Sequence, residues 1–316
     1  MTPTSPPSHS DPSPNRAGLA GEVVVGLDIG GSKTHGVLWR NGELVGEAQS
    51  GSANTQNVSA DEAAAQLHDL FAALGGRGGL QQVDRVVAGA GGVDTPDDAE
   101  RLRALIEPCT PTATIDVVHD TRLILAAGGA RTGIGVIAGT GSVAWGIDAS
   151  GREARSGGWG YLLGDEGSGY WLVRAAVRRA LHRHDLGAQP DSLDEAILAL
   201  NGARTPTELI GLFHSDAGRT YWAAQSPAVF DAARAGHPGA SALLDQAAAD
   251  LTGLVQDVVS VLDIPGPVVL GGGLAMHQVD LQERLRPRLE QAGVTEIVFL
   301  DRDPVLGALF LANSAA

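Results

Sequence analysis

Short runs of β-branched and apolar residues alternate along this 316-residue chain with longer segments whose apolar positions recur every three or four residues. That alternation predicts an α/β protein. Glu22–Asp28 (EVVVGLD) has the make-up of a buried strand. The glycine turn Ile29-Gly30-Gly31-Ser32 separates it from a second strand over Thr34–Trp39, and Asn41-Gly42, a strong two-residue hairpin signal, leads to a third over Glu43–Gln49. Ser59 stands three residues before Glu62 at the head of an Ala/Leu-rich segment running to Leu74, the pattern of a capping box that opens an amphipathic helix. A strand over Arg85–Ala90, a helix near Asp97–Ile106 and a strand over Thr114–His119 continue the alternation.

The pattern then repeats. Gly133–Ala138 (GIGVIA) predicts a strand, Gly139-Thr140-Gly141-Ser142 a small-residue turn, Val143–Ile147 a second strand, and Glu153–Ser156 a third after the turn at Ser150-Gly151. Two strand–glycine turn–strand–turn–strand units of matching spacing imply a duplicated α/β domain. A mainly helical stretch follows over Gly169–Arg183, Ser192–Leu200, Thr207–Phe213, Pro227–Arg234 and Ala240–Leu262. Strand Val268–Leu270, the triplet Gly271-Gly272-Gly273, helix Val279–Gln291, strand Glu296–Leu300 and a last helix Pro304–Asn313 close the chain. The expected layout is two α/β lobes with a central cleft. Residues 22–118 form the first lobe, with 304–316 packing back on it. Residues 119–303 form the second lobe with a helical insertion, and residues 1–21 are a Pro/Ser-rich disordered tail.

Composition narrows the function. The 22 Lys and Arg against 37 Asp and Glu leave a net charge of −15, which repels nucleic acid and anionic lipid. The single cysteine, Cys109, excludes a disulfide framework, a multi-cysteine zinc site and an iron–sulfur cluster within one chain. Apolar stretches fall well short of the ~18 residues a membrane span needs, and the tail has neither a basic start nor an apolar run, so a cytoplasmic location is expected. The arginine-rich run 174–183 alternates with apolar residues at helical spacing, the mark of a solvated or interface face. The 43 glycines are about twice the usual ~7% share and cluster, which points to close backbone approaches such as phosphate loops.

In Asp28-Ile29-Gly30-Gly31-Ser32-Lys33-Thr34, a strand-end carboxylate is followed by glycines, hydroxyls and the only lysine of the chain. Bare glycine lets main-chain N–H groups approach phosphate oxygens; Ser32, Lys33 or Thr34 could add hydrogen bonds, and Asp28 is a hard oxygen donor suited to Mg²⁺. A plain tight hairpin is the other reading. No Walker A loop or dinucleotide fingerprint is present. Gly139-Thr140-Gly141-Ser142 offers the same chemistry on the second lobe. Two such turns, one per lobe, suit a cleft that closes on the triphosphate of ATP.

With these pieces in place, the chain resembles the BadF/BadG/BcrA/BcrD ATPase family, specifically its N-acetylglucosamine kinase-like members within the actin-like ATPase and sugar kinase superfamily. The matching stretches are 26–34, His119-Asp120 with the helix behind it, 138–142, the segment Gly157-Gly158-Trp159-Gly160-Tyr161-Leu162-Leu163-Gly164-Asp165-Glu166-Gly167-Ser168-Gly169, and Leu270-Gly271-Gly272-Gly273. The resemblance implies a two-lobed actin-like ATPase fold, a duplicated ribonuclease H-like architecture, binding ATP and Mg²⁺. It implies that Asp120 is the catalytic base, that Asp28 supports the metal, and that Gly30–Thr34 and Gly139–Ser142 hold phosphates. Gly271, Gly272 and Gly273 would then lie by the nucleotide base. Asn54 and Asp165 would hold the sugar, with Trp159 stacking on it and Thr140 and Gly160 beside it. From the residues alone, Asp120 is equally a helix N-cap, Asn54 a turn residue, Asp165 the charged start of a helix and Trp159 a core side chain.

Departures refine the expectation. One cysteine argues against the iron–sulfur activases of the family, the Cys-rich zinc motif of a related kinase and repressor group is missing, and no helix-turn-helix precedes the first strand. The expected activity is therefore phosphorylation of the 6-hydroxyl of N-acetylglucosamine by ATP, in a homodimer. Glucosamine kinase activity and a non-catalytic ATP or sugar sensor of the same fold are the alternatives.

Overall fold

A computed structural model describes residues 21–76, 80, 82–215 and 218–313; the tail expected over 1–21 lies outside them apart from Gly21. Ten strands and twelve α-helices are formed by these residues. In chain order they begin β1 (Val23–Ile29), β2 (Lys33–Arg40), β3 (Glu43–Gly51), α1 (Ala60–Gly75), β4 (Arg85–Ala90), α2 (Pro96–Ile106), β5 (Thr114–His119) and α3 (Asp120–Ala127). Next come β6 (Gly133–Ala138), β7 (Ser142–Ile147) and β8 (Glu153–Gly157). Six helices follow: α4 (Gly169–Asp185), α5 (Ser192–Leu200), α6 (Glu208–Phe213), α7 (Gly218–Ala223), α8 (Pro227–Arg234) and α9 (Pro238–Leu262). The chain ends with β9 (Val268–Gly271), α10 (Gly273–His277), α11 (Val279–Gln291), β10 (Ile297–Phe299) and α12 (Gly307–Ala312).

The chain divides into two compact units, Met1–Asp120 with Ala308–Ala316, and Thr121–Gly307. In the first, one sheet has the order β3-β2-β1-β4-β5. Strands β1, β2 and β3 form an antiparallel meander, and β4 and β5 add in parallel to β1. In the second, the order β10-β9-β6-β7-β8 repeats that plan: β6, β7 and β8 meander, and β9 and β10 add in parallel. The duplication expected from glycine spacing is present strand for strand. Each parallel addition needs a crossover, supplied by α1 and α2 in one unit and by α4–α9 and α10–α11 in the other.

Alternation along β1 sends Val25, Leu27 and Ile29 to one face, where they meet Leu67, Leu70, Phe71 and Leu74 of α1. Burying each leucine contributes about 1.5–3 kcal/mol. Val24, Gly26 and Asp28 take the other face, and a Cβ on Gly26 would strike Ala308 at 2.6 Å and Trp39 at 2.8 Å, so this bare position seats the C-terminal helix. Arg85 Nη1 adds a hydrogen bond to the Ala312 carbonyl, 3.1 Å. The larger core of the second unit joins β6 and β9 to α4, α5, α8, α9 and α11 through Ile134, Leu270, Leu172, Leu193, Phe230, Leu251 and Leu285.

Local expectations meet the structure with a few corrections. Ser59 caps α1 one way, its Oγ accepting from Glu62 N at 3.2 Å; reciprocal boxes form instead at Thr95/Asp98 and Asp191/Asp194. The last helix is split into a 3₁₀ turn over Pro304–Leu306 and α12. The arginine run is not simply solvated: Arg179 and Arg183 of α4 pair with Asp194 at 2.8 and 2.9 Å, and Asp194 is buried, so the basic stripe ties α4 to α5. No helix among the described residues is long and apolar enough to cross a membrane.

Candidate active site

In the first unit, the parallel strands β1, β4 and β5 deliver Asp28, Gly91 and Asp120 at or just past their carboxyl ends, where α/β sheets bind ligands. Asp120 is not the N-cap of α3 but its first residue. Its Oδ2 would lie 3.0 Å from a Cβ placed on Gly91, and the Asn54 Nδ2 3.5 Å from the same point. A carboxylate, an amide and a bare α-carbon thus share one small space. Asn54 is buried, and its Oδ1 accepts from Gln56 N at 2.9 Å, which turns the loop and leaves the amide NH₂ to face Gly91. His119, buried behind Asp120, brings Nδ1 to 2.9 Å from Asp120 Oδ1.

The first glycine turn closes with a Gly30 N to Lys33 O bond of 2.9 Å and exposes Gly31, Ser32 and Lys33. Thr34 does not join that surface. It is fully buried, and its Oγ1 accepts from Ala53 N at 3.0 Å. Ser52 Oγ donates to Gly30 O at 2.9 Å and Asn57 Nδ2 to Gly31 O at 3.3 Å. The turn is therefore stitched to the loop that carries Asn54. Asp28 is half-buried, opposite His35 in the β1–β2 register, and its hard oxygens beside the exposed turn fit a nucleotide-bound Mg²⁺. Groups of three or more metal-ligating side chains are absent among the described residues.

In the second unit, the loop between β6 and β7 is held from behind. Gly169 N donates to Gly139 O at 2.8 Å and Tyr170 N to Thr140 O at 3.4 Å, both from the first turn of α4. Ser142 faces inward, its Oγ donating to Glu166 O at 2.7 Å and its amide to Asp165 Oδ1 at 3.3 Å. Asp165 is 4% exposed, with φ +63°. Burial pushes its carboxyl above the usual carboxylate range, while the Ser142 amide and the Arg219 and Arg155 charges pull the other way. A Cβ on Gly141 would come within 2.9 Å of that carboxylate, so the turn rests directly on Asp165.

The glycine triplet splits three ways. Gly271 gives its space to Ile124 of α3, 2.8 Å from where a Cβ would be. Gly272, at φ +88°, has Ala138 O 2.7 Å from where a Cβ would be. Gly273, exposed, has open space and lies with its N 3.5 Å from a Cβ on Gly139. The triplet and the second glycine turn are thus neighbours, with Gly273 the member that faces outward. Trp159 is not a core residue: it is 62% exposed, with the Arg155 guanidinium 4.3 Å from its ring centroid, and Gly160 beside it has open space.

The structure so brings together Asp120 and Asn54 in one unit, and Gly139–Ser142, Gly271–Gly273 and Asp165 in the other. It turns the hydroxyls of Thr34 and Ser142 inward, onto Ala53 N and Glu166 O. Sequence reasoning missed Gly91, whose only signal is a glycine at a strand end, and the partner role of His119.

Two sheets of the same order, each with a glycine turn in its first hairpin, define the duplicated actin-like ATPase fold used by sugar kinases. Within that class the chain belongs to the BadF/BadG/BcrA/BcrD ATPase family, whose model matches residues 25–312. It is 30% identical over 302 residues to an N-acetylmuramic acid/N-acetylglucosamine kinase of Clostridium acetobutylicum, covering 93% of this chain and 99% of that protein. It is 28% identical to a glucosamine kinase of Vibrio cholerae, covering 92% and 95%. A solved structure from Chromobacterium violaceum, described as a candidate N-acetylglucosamine kinase, superposes with a TM-score of 0.74 at 26% identity over 92% of this chain and 98% of that one.

Proposed function

We propose that this chain is an ATP-dependent kinase that phosphorylates the 6-hydroxyl of N-acetylglucosamine. The observation that carries the reading is the convergence of Asp120 Oδ2 and the Asn54 amide on bare Gly91. A hexose hydroxyl placed there would give its proton to the carboxylate while the amide donates to a neighbouring sugar oxygen. Phosphoryl transfer asks little covalent chemistry of a protein; it needs the attacking hydroxyl oriented and the phosphate charge neutralised. Asp120 serves the first need. The second falls, in the first unit, to main-chain N–H groups of the turn at Gly30–Lys33 and to Lys33; the turn at Gly139–Gly141 of the second unit offers main-chain N–H groups of the same kind. Asp28 would hold the Mg²⁺ of the nucleotide, whose charge offsets that of the phosphates. Asp165 acts by shaping the second turn, and exposed Trp159 offers an aromatic face to a sugar.

The family match and the names of the relatives support an amino-sugar substrate. The Vibrio cholerae relative favours glucosamine as the second reading. The same reading extends to a homodimer in the cytoplasm, which size-exclusion chromatography with light scattering and cell fractionation would test.

A coupled ADP-release assay over N-acetylglucosamine, glucosamine, N-acetylmuramic acid and glucose tests the proposal, with N-acetylglucosamine expected to give the highest kcat/KM. Asp120→Ala should lower kcat at least ~10²-fold with nucleotide binding kept. Unchanged turnover in that variant removes Asp120 from the reaction. Sugar binding without ADP release, over the whole panel, makes the protein a sensor.

A further inference from the structure

The two oxygens of the Asp120 carboxylate sit in different surroundings. Oδ2 faces Gly91 and Asn54. Oδ1 is buried and, among the described residues, accepts no aligned hydrogen bond, although the Nδ1 of His119 is only 2.9 Å away. The imidazole is close enough but off the line that a hydrogen bond needs. A buried carboxylate oxygen without an aligned donor is costly, and such exceptions in native folds call for a reason. Catalytic hydrogen bonds in ligand-free proteins are often poorly aligned and tighten when substrate arrives.

His119 is well placed for that task. It is the last residue of β5, in parallel register with Ala90, the residue before Gly91. Its side chain is 7% exposed, and its Nε2 faces Asp94 Oδ1 at 3.9 Å, so the ring is enclosed between two carboxylates. A small rotation of the Asp120 carboxyl would complete the Nδ1–H to Oδ1 bond and present Oδ2 to the sugar hydroxyl.

Resting on the kinase reading above, we infer that His119 is the positioning residue of the catalytic base: it holds Asp120 through Oδ1 and so makes Oδ2 the oxygen that takes the hydroxyl proton. The bond is charge-assisted and forms fully only with substrate in place, so its loss appears in kcat more than in KM.

His119→Phe keeps an aromatic ring and removes the donor. His119→Asn keeps a donor near the Nδ1 position. Hydrogen bonds to charged groups correspond to roughly 10- to 100-fold in rate, the loss in kcat expected for His119→Phe, with both KM values within about twofold of wild type. His119→Asn is expected to recover at least half of that loss on a logarithmic scale. The decisive measurement is made in the Asp120→Asn background, where adding His119→Phe should lower kcat by less than about threefold, because the group it positions is already gone. A full additive loss there, or equal kcat for wild type and His119→Phe, overturns the inference. If His119→Phe fails to fold, as judged by urea unfolding, His119→Asn and its double variant with Asp120→Asn carry the same test. Absence of phosphoryl transfer by the wild-type protein to any amino sugar would instead overturn the kinase reading itself.

Discussion

Replacing Thr34 by Val removes one oxygen and leaves the volume nearly unchanged. The Oγ1 of Thr34 accepts the Ala53 N–H at 3.0 Å in a fully buried setting, and Ala53 immediately precedes Asn54. The valine variant leaves that amide without a partner, which costs about 1–3 kcal/mol. The cost can be expressed in two ways. Either the first unit loses stability by that amount, or the Ser52–Asn57 loop shifts to find water and carries Asn54 out of place. In the second limit the sugar KM rises about 5- to 140-fold, since each 1.4 kcal/mol is a factor of ten. The KM for ATP should stay within about twofold, because the hydroxyl is turned away from the exposed turn. Initial-rate kinetics with each substrate varied, together with urea unfolding, separate the outcomes. A raised ATP KM beside an unchanged sugar KM would show that the hydroxyl meets phosphate, contrary to this reasoning.

Two further expectations follow from geometry at the same sites. Gly91→Ala places a methyl 3.0 Å from Asp120 Oδ2 and 3.5 Å from Asn54 Nδ2, so kcat should fall about 10- to 100-fold from displacement of the base. Thermal unfolding should change little, because the obstructed atoms are side-chain ends; an active variant would place the reaction elsewhere. Asp165→Asn concerns pH. The folded carboxyl of Asp165 is raised by burial, so its contribution to stability is fully present below the ordinary carboxylate pKa and is lost as pH rises through the folded value. Asparagine keeps an acceptor for the Ser142 amide and tolerates the left-handed backbone. The variant should therefore gain stability relative to wild type between acid and neutral pH in urea unfolding, and a gap that stays constant or narrows would contradict the burial argument.

Hydrophobic period, glycine spacing and turn chemistry were enough to place nearly every strand and long helix, and to reveal the duplication. These are properties of neighbours in the chain: the Asn41-Gly42 hairpin and the alternation of Val25, Leu27 and Ile29 act over a few residues. While Asn54 and Asp120 stood out only through the resemblance to the family, the same local signals marked Asp28 and the two glycine turns as chemically equipped. They could not say which way a hydroxyl in a turn would point. Thr34 turns inward to meet Ala53, and Ser142 turns inward to meet Glu166. Each partner is separated in sequence and arrives only when the sheet and its loops assemble. Gly91 carried no local mark beyond being a glycine at a strand end, because a bare α-carbon acquires meaning from what crowds it, here an amide and a carboxylate from two other segments. Local pattern thus determined the elements and the inventory of reactive groups. Long-range packing decided which of those groups face a ligand and which only hold the others in place, since burial and hydrogen-bond partners are set by the assembled unit.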